Sequence, residues 1–153
     1  MELSDIIAPE RVACDVAANS KKRALETLAE LIAGGQEGIS SAEVFDSLLA
    51  RERLGGTGVG HGVAIPHGRL DQGQRAVGAF VKLTQGVDFD ASDNEPVDLL
   101  FALIVPAEST EEHLQVLALL ATMFSDEDLR RRARAAESGR HLYELLLDWQ
   151  SAH

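Results

Sequence analysis

Apolar positions along this chain change their period several times, and each change marks an element. Val12, Cys14 and Val16 share one phase, which predicts a short strand over 11–17. Leu25, Leu28, Leu31 and Ile32 then recur at helical spacing behind Asn19 or Ser20 as N-cap, and Gly34-Gly35 supplies the stop. A second helix follows, with Ser40 and Glu43 in a capping-box pattern and Val44, Phe45, Leu48 and Leu49 on one face running towards Arg51. Beyond a cluster of glycines, residues 63–65, 75–83 and 97–105 are short β-branched, apolar runs with breakers between them, and predict three strands. The last has no polar residue from Leu99 to Val105, so it should be covered on both sides.

Three helical segments complete the chain. The first, 109–124, opens on a Ser109/Glu112 cap pattern; the second, 125–136, opens on acids and continues with Arg130, Arg131, Arg132 and Arg134. The third starts at Ser138 or Gly139 and carries Leu142, Leu145, Leu146 and Trp149. Strands bracketed by helix pairs indicate an α/β fold, a single domain whose mixed β-sheet is flanked by helices on both faces.

Composition narrows the class. A length of 153 residues suits one domain, taking roughly 100–200 residues per domain. The net charge of −11 argues against broad binding to nucleic acid or an anionic membrane. No apolar run approaches the roughly 18 residues of a membrane span, and Met-Glu-Leu-Ser-Asp lacks the basic and apolar regions of a signal peptide, so a cytoplasmic protein is expected. The lone Cys14 fits a reducing compartment and reads as a small core residue rather than a reactive thiol. The charge is unevenly spread: residues 51–82 hold five basic and two acidic side chains and form the one net-positive segment.

That segment carries the candidate chemistry. Gly55, Gly56, Gly58, Gly60 and Gly62 can visit left-handed conformations and turn backbone N–H groups into a concave, anion-accepting surface. It is neither a P-loop, since no Gly-Lys-Ser/Thr follows, nor a dinucleotide fingerprint, since it follows a helix rather than a strand. His67 lies between Pro66 and Gly68, where an apolar strand breaks at a rigid turn, and is expected at an exposed sheet end. A neutral imidazole there suits a nucleophile that carries a phosphoryl group. Arg51, Arg53 and Arg69 are near in sequence and could bind phosphate oxygens, or equally be solvated or paired with Glu52. His113, in the first turn of the helix after the buried strand, could add a hydrogen bond beside a helix N-terminus; read alone it is an exposed helix residue, since Leu114, Leu117 and Leu120 claim the buried stripe.

The stretch Gly62-Val-Ala-Ile-Pro-His67-Gly-Arg69, preceded by Arg51-Glu-Arg-Leu-Gly-Gly-Thr-Gly58, resembles the active-site signature of the mannitol/fructose-type enzyme IIA domain of the bacterial phosphoenolpyruvate-dependent phosphotransferase system. Asn94 to Ala107 and the arginine-rich stretch from Leu129 are similar to its nitrogen-regulatory branch, and the matched segments run from about residue 3 to 149. The resemblance implies the mannitol-type IIA fold and a phosphoryl group accepted on Nε2 of His67 from an HPr-type carrier. It also implies His113 as the second active-site histidine, with Arg51 and Thr57 helping to hold the phosphoryl group and Gly55, Gly56, Gly58 and Gly60 as the phosphate loop. No cofactor is called for. Downstream partners would be regulated proteins such as sensor kinases or ion-transport regulators; a homodimer is left open.

Two positions depart from the branch: Gly56 stands where serine is usual, and His61 where asparagine is usual. With Arg69, His61 is a candidate modulator of His67. A stand-alone sugar-specific IIA feeding a membrane permease is the alternative. A zinc-dependent hydrolase using His61, His67 and His113 is a rival of another class, weakened by the missing His-Glu-x-x-His pattern. A IIA-like fold that binds partners without carrying phosphate is the third.

Overall fold

In the computed structural model, which describes residues 2–71, 75–108 and 110–153 (backbone only at Thr110 and Glu112), strand β1 (Val12–Val16) leads into helices α1 (Lys21–Ala33) and α2 (Ser41–Leu54). Strands β2 (Gly58–Gly60), β3 (Val63–Ala64), β4 (His67–Leu70), β5 (Val77–Val87) and β6 (Val97–Pro106) follow, then α3 (Thr110–Phe124), α4 (Glu127–Ala135) and α5 (Gly139–Ala152). The six strands form one mixed sheet in the order β1-β5-β6-β3-β2, with β4 also paired to β6. Only the β5–β6 and β2–β3 pairs are antiparallel.

The unbroken apolar run becomes the central strand. On β6, Leu99, Phe101, Leu103 and Val105 pack with α3, α4, α5 and the N-terminal residues Leu3, Ile6 and Ile7. Leu100, Ala102 and Ile104 point the other way, into a second cluster with Ala24, Leu25, Leu28 and Ile32 of α1 and Val44 and Leu48 of α2. Two layers of helices thus cover the two faces, as an alternating strand buried on both sides requires. Among the described residues no helix is long and apolar enough to cross a membrane.

Capping follows the sequence closely. Ser20 accepts from Arg23 N at the start of α1, Ser40 and Glu43 bond reciprocally at α2, and Ser138 accepts from His141 N at α5. The α4 cap is Asp126 rather than Ser125; its carboxylate accepts from Asp128 N and Leu129 N and also from Trp149 Nε1. The Ser109/Glu112 pattern lies outside the described residues. At the other end of α4 the buried Lys82 ammonium donates to the carbonyls of Arg134, at 3.1 Å, and Ala136.

Three expectations are corrected. Val16 does not share the phase of Val12 and Cys14: Asp15 has φ +54° and the β1–β5 register shifts there, so Val16 joins Ala13 on the opposite face. Two strands, β2 and β4, went unpredicted because glycine and short length hide their period. The chain also does not turn away at Pro66. Val63 and Ala64 pair with Leu99 and Leu100, and His67 to Leu70 pair with Leu103 to Pro106, at one constant offset, so β3 and β4 are one strand line interrupted at Ile65-Pro66. Pro66 has no N–H to give, yet its carbonyl still accepts from Leu103 N at 2.9 Å.

The α5 layer is held tightly to the sheet. A Cβ on Gly139 would overlap the carbonyl oxygen of Val12, a backbone atom that cannot step aside. Gly139→Ala should therefore destabilise the fold by about 1–3 kcal/mol. Urea denaturation checks this; a midpoint equal to that of the wild type would show that α5 can shift freely.

Candidate functional site

His67 opens β4 and is half-buried. Its orientation follows from the interruption in the strand line. Ile65 N donates outward to Thr57 O at 3.0 Å, and the Ile65 carbonyl, on the same strand edge, stands 2.9 Å from His67 Nδ1. A carbonyl can only accept, so Nδ1 carries the proton and Nε2 keeps its lone pair.

Two shallow depressions meet at this imidazole. One, of about 320 Å³, is lined by Ser47, Ala50, Arg51, Leu54, Gly68, Arg69 and His113 as well as His67. The other, of about 270 Å³, shares Arg51 and His67 and adds Gly56, Thr57, Gly58, Val59, Ile65, Leu117 and Ala121. The structure thus brings His113, distant in sequence, together with His67, Arg51 and Arg69. Gly68 permits it: a Cβ there would stand 3.1 Å from the Ser47 backbone, so glycine lets α2 lie against β4 and bring Arg51 over the site.

His113 is not an exposed helix residue. It is only 6% exposed, whereas Leu114 is 67% exposed, so the inward stripe of α3 is His113, Val116, Leu120 and Met123. The His113 ring meets that of His67 edge-on, with centroids 5.3 Å apart and planes at 62°. Its Nδ1 is buried with no hydrogen-bond partner. Burial pushes both histidines below the ordinary pKa of 6.5. At His67 the Ile65 carbonyl opposes that effect and Arg51 adds to it; at His113, His67 and Arg69 add to it. Both rings are therefore held neutral.

The glycine run does not form one continuous anion cradle. Gly58 and Gly60 pair with Ala64 and Val63 in the β2–β3 hairpin, and Gly60, His61 and Gly62 turn it with φ of +93°, +58° and +76°. Gly58 also lies against Ala91, where a Cβ would approach to 2.9 Å. Gly60 lines neither depression, and Gly55 enters through its carbonyl, which accepts from Arg51 Nη1 at 2.8 Å. Thr57 donates its N–H and its hydroxyl to the carboxylate of Glu52. At Gly56 a Cβ would meet Asp90 O and Phe89 O at 3.4 Å, ordinary contact, so the serine usual in the branch would fit.

His61 points elsewhere. Its N–H donates to Asp93, its carbonyl accepts from Arg134, and it lines a separate depression with Glu95 and Asp98. Among the described residues no three His, Cys, Asp or Glu side chains gather as metal ligands, so the zinc triad of His61, His67 and His113 does not converge. The net-positive segment also disperses. Arg51 and Arg69 face the site, while Lys82 is buried beneath α4 and Arg53 lines neither depression. Sequence reasoning missed the buried Glu52 and the exposed apolar rim of Leu54 and Val59. An acid in the last turn of a helix, against the dipole, was the available signal for Glu52.

Comparison with known proteins identifies the family. The family model described as phosphoenolpyruvate-dependent sugar phosphotransferase system, EIIA 2, matches residues 5–149. A nitrogen regulatory protein of Klebsiella oxytoca is 49% identical over 149 residues, covering 97% of this chain and 91% of its own. The crystal structure of nitrogen regulatory protein IIA-Ntr from Neisseria meningitidis matches with a TM-score of 0.88 at 40% identity, over 94% of this chain and 98% of its own. IIA mannitol from Escherichia coli matches with a TM-score of 0.76 at 25% identity, over 91% and 97%. The neutral histidine pair and the arginines around it, carried on β4, α2 and α3, thus stand in a chain that belongs to the EIIA 2 family of the phosphotransferase system, among its nitrogen regulatory proteins.

Proposed function

We propose that the chain is a phosphoryl relay whose His67 Nε2 accepts a phosphoryl group from a phosphohistidine on an HPr-type carrier, and that the state of His67 signals to downstream regulated partners. The observation that supports this most directly is the Nδ1 contact to the Ile65 carbonyl, which leaves Nε2 as the nucleophilic nitrogen. The Nε2 lone pair forms the new P–N bond in line as the donor's P–N bond breaks. The departing imidazole takes that electron pair, and a proton from solvent completes it. Phosphorylated His67 keeps its Nδ1 proton, so the ring becomes cationic and its bond to Ile65 O strengthens.

Stabilisation of the equatorial oxygens falls to Arg51, to His113 and to the backbone around Gly56 and Gly58, the groups that line the two depressions. A loose transition state asks mainly for such positioning and charge. His113 suits a donor role because its Nδ1 is committed to nothing else. Leu54 and Val59, one at each depression, supply an exposed apolar rim on which a carrier can dock. A phosphoryl group on His67 brings about −1.5 to −2 charges beside that rim, only partly offset by the cationic ring, and the net negative charge is enough to change which partner docks.

Incubation with phosphoenolpyruvate, enzyme I and its carrier, followed by peptide mass analysis, should place an acid-labile phosphoryl group on His67 and none in His67→Ala. A label on His61 or on no histidine would overturn the assignment. His113→Ala should still be labelled but transfer about a hundredfold more slowly; unchanged kinetics would remove His113 from the site. Because burial lowers its pKa, His67 should stay neutral and competent below pH 6.5. An NMR titration midpoint at or above 6.5 would contradict this.

A further inference from the structure

We propose that Glu52 is the positioning residue of this site: from behind the loop its buried carboxylate holds Thr57, and through the Gly55–Thr57 turn it sets where the Arg51 guanidinium meets a phosphoryl group on His67. The proposal rests on the phosphoryl-relay reading above.

The Glu52 side chain is 2% exposed, and each of its oxygens has a partner. Oε1 accepts from the Thr57 hydroxyl; Oε2 accepts from Thr57 N at 3.2 Å and lies 2.9 Å from Lys21 Nζ. Lys21 comes from the first turn of α1, where it also stands over the Phe89 ring and 3.6 Å from Asp90. One carboxylate thus ties α1, the end of α2 and the loop into a single unit. The turn between Glu52 and Thr57 closes with Gly55 N on Glu52 O at 3.2 Å, and its Gly55 carbonyl receives Arg51 Nη1 at 2.8 Å. Among the described residues the Arg51 guanidinium makes no other hydrogen bond or ion pair, so the position of Gly55 decides where it rests.

Stability does not account for this arrangement. A carboxylate in the last turn of a helix opposes the dipole, and a buried ion pair commonly returns less than its desolvation costs, so apolar side chains in place of the whole Glu52, Thr57 and Lys21 set would serve packing about as well. Local rules broken in this way tend to mark functional sites. Glu52 also acts on His67 electrostatically. The charged and titratable groups that face His67 are Arg51, Arg69, His113 and, behind the loop, Glu52; Arg51 and Arg69 lower its pKa and Glu52 raises it.

Glu52→Gln, nearly isosteric, tests the proposal with two readouts. Transfer from the phosphorylated HPr-type carrier should lose about tenfold to a hundredfold in kcat with the carrier's KM unchanged, because the docking rim is untouched. In the unphosphorylated protein the NMR titration midpoint of His67 should move to lower pH. A role in folding alone would lower the melting temperature and leave both readouts at wild-type values, and that result overturns the proposal. Glu52→Asp keeps the charge but withdraws it by one methylene from Thr57, and should slow transfer while holding the His67 midpoint nearer that of the wild type; full activity in this variant also overturns the proposal. If the wild type itself takes no label on His67, the relay reading fails separately, and the titration comparison still decides whether Glu52 acts on His67.

Discussion

The site depends on a single irregularity in the sheet. At Ile65-Pro66 the strand line beside β6 loses one backbone donor but keeps its register on both sides, with Pro66 O still held by Leu103 N. Because the register holds, His67 is carried on the sheet, opposite Leu103 of the central strand β6, rather than on a free loop. Because the pairing on the β2 side goes no further than Ile65 N on Thr57 O, the Ile65 carbonyl is left on the outer edge to fix the imidazole through Nδ1. A regular strand would have offered that carbonyl to a neighbouring chain, and a true break would have released the histidine to solvent. The proline satisfies both demands, since it removes an N–H while leaving an acceptor.

Everything else at the site is brought to this imidazole by packing. Gly68 gives α2 room to approach β4 and deliver Arg51, and α3 turns His113 inward to meet His67 edge-on. The resulting place is half apolar and half cationic. Burial lowers the basicity of both rings, and guanidinium groups at Arg51 and Arg69 reinforce the effect from one side. Behind the loop Glu52 opposes them while remaining paired with Lys21 and Thr57. In the proposed relay a nucleophile that must be neutral and a product that is an anion place compatible demands on such surroundings: cations disfavour the imidazolium and favour the phosphoryl group.

Some of this was legible in the chain and some was not. The helix starts at Ser20, Ser40 and Ser138 could be read because capping is local chemistry, decided within three or four residues. The doubly covered β6 could be read because an apolar run without alternation has few other uses in a folded domain. His113 was misplaced because the leucines of α3 outnumber it, and period alone assigns the inward stripe to the most apolar residues. The fold overrules that preference by giving the histidine a partner ring that no helical wheel contains. The glycine run was misjudged for a similar reason: close approach to Ala91 and the hairpin at Gly60–Gly62 need glycine as much as an anion cradle does.

By itself the sequence determined most of the element order, the caps at Ser20, Ser40 and Ser138, the α/β class and a candidate for the phosphoryl acceptor, because each is set by short-range pattern or by a contiguous motif. Only the tertiary structure decided which nitrogen of His67 is free, which face His113 takes and which of the nearby arginines attend the site. It also turned Glu52 from a surface ion-pair candidate into a buried anchor. Those outcomes depend on carbonyls, rings and carboxylates that approach from distant parts of the chain. Their energies come from burial and hydrogen-bond geometry, quantities that exist only once the layers have closed on the sheet.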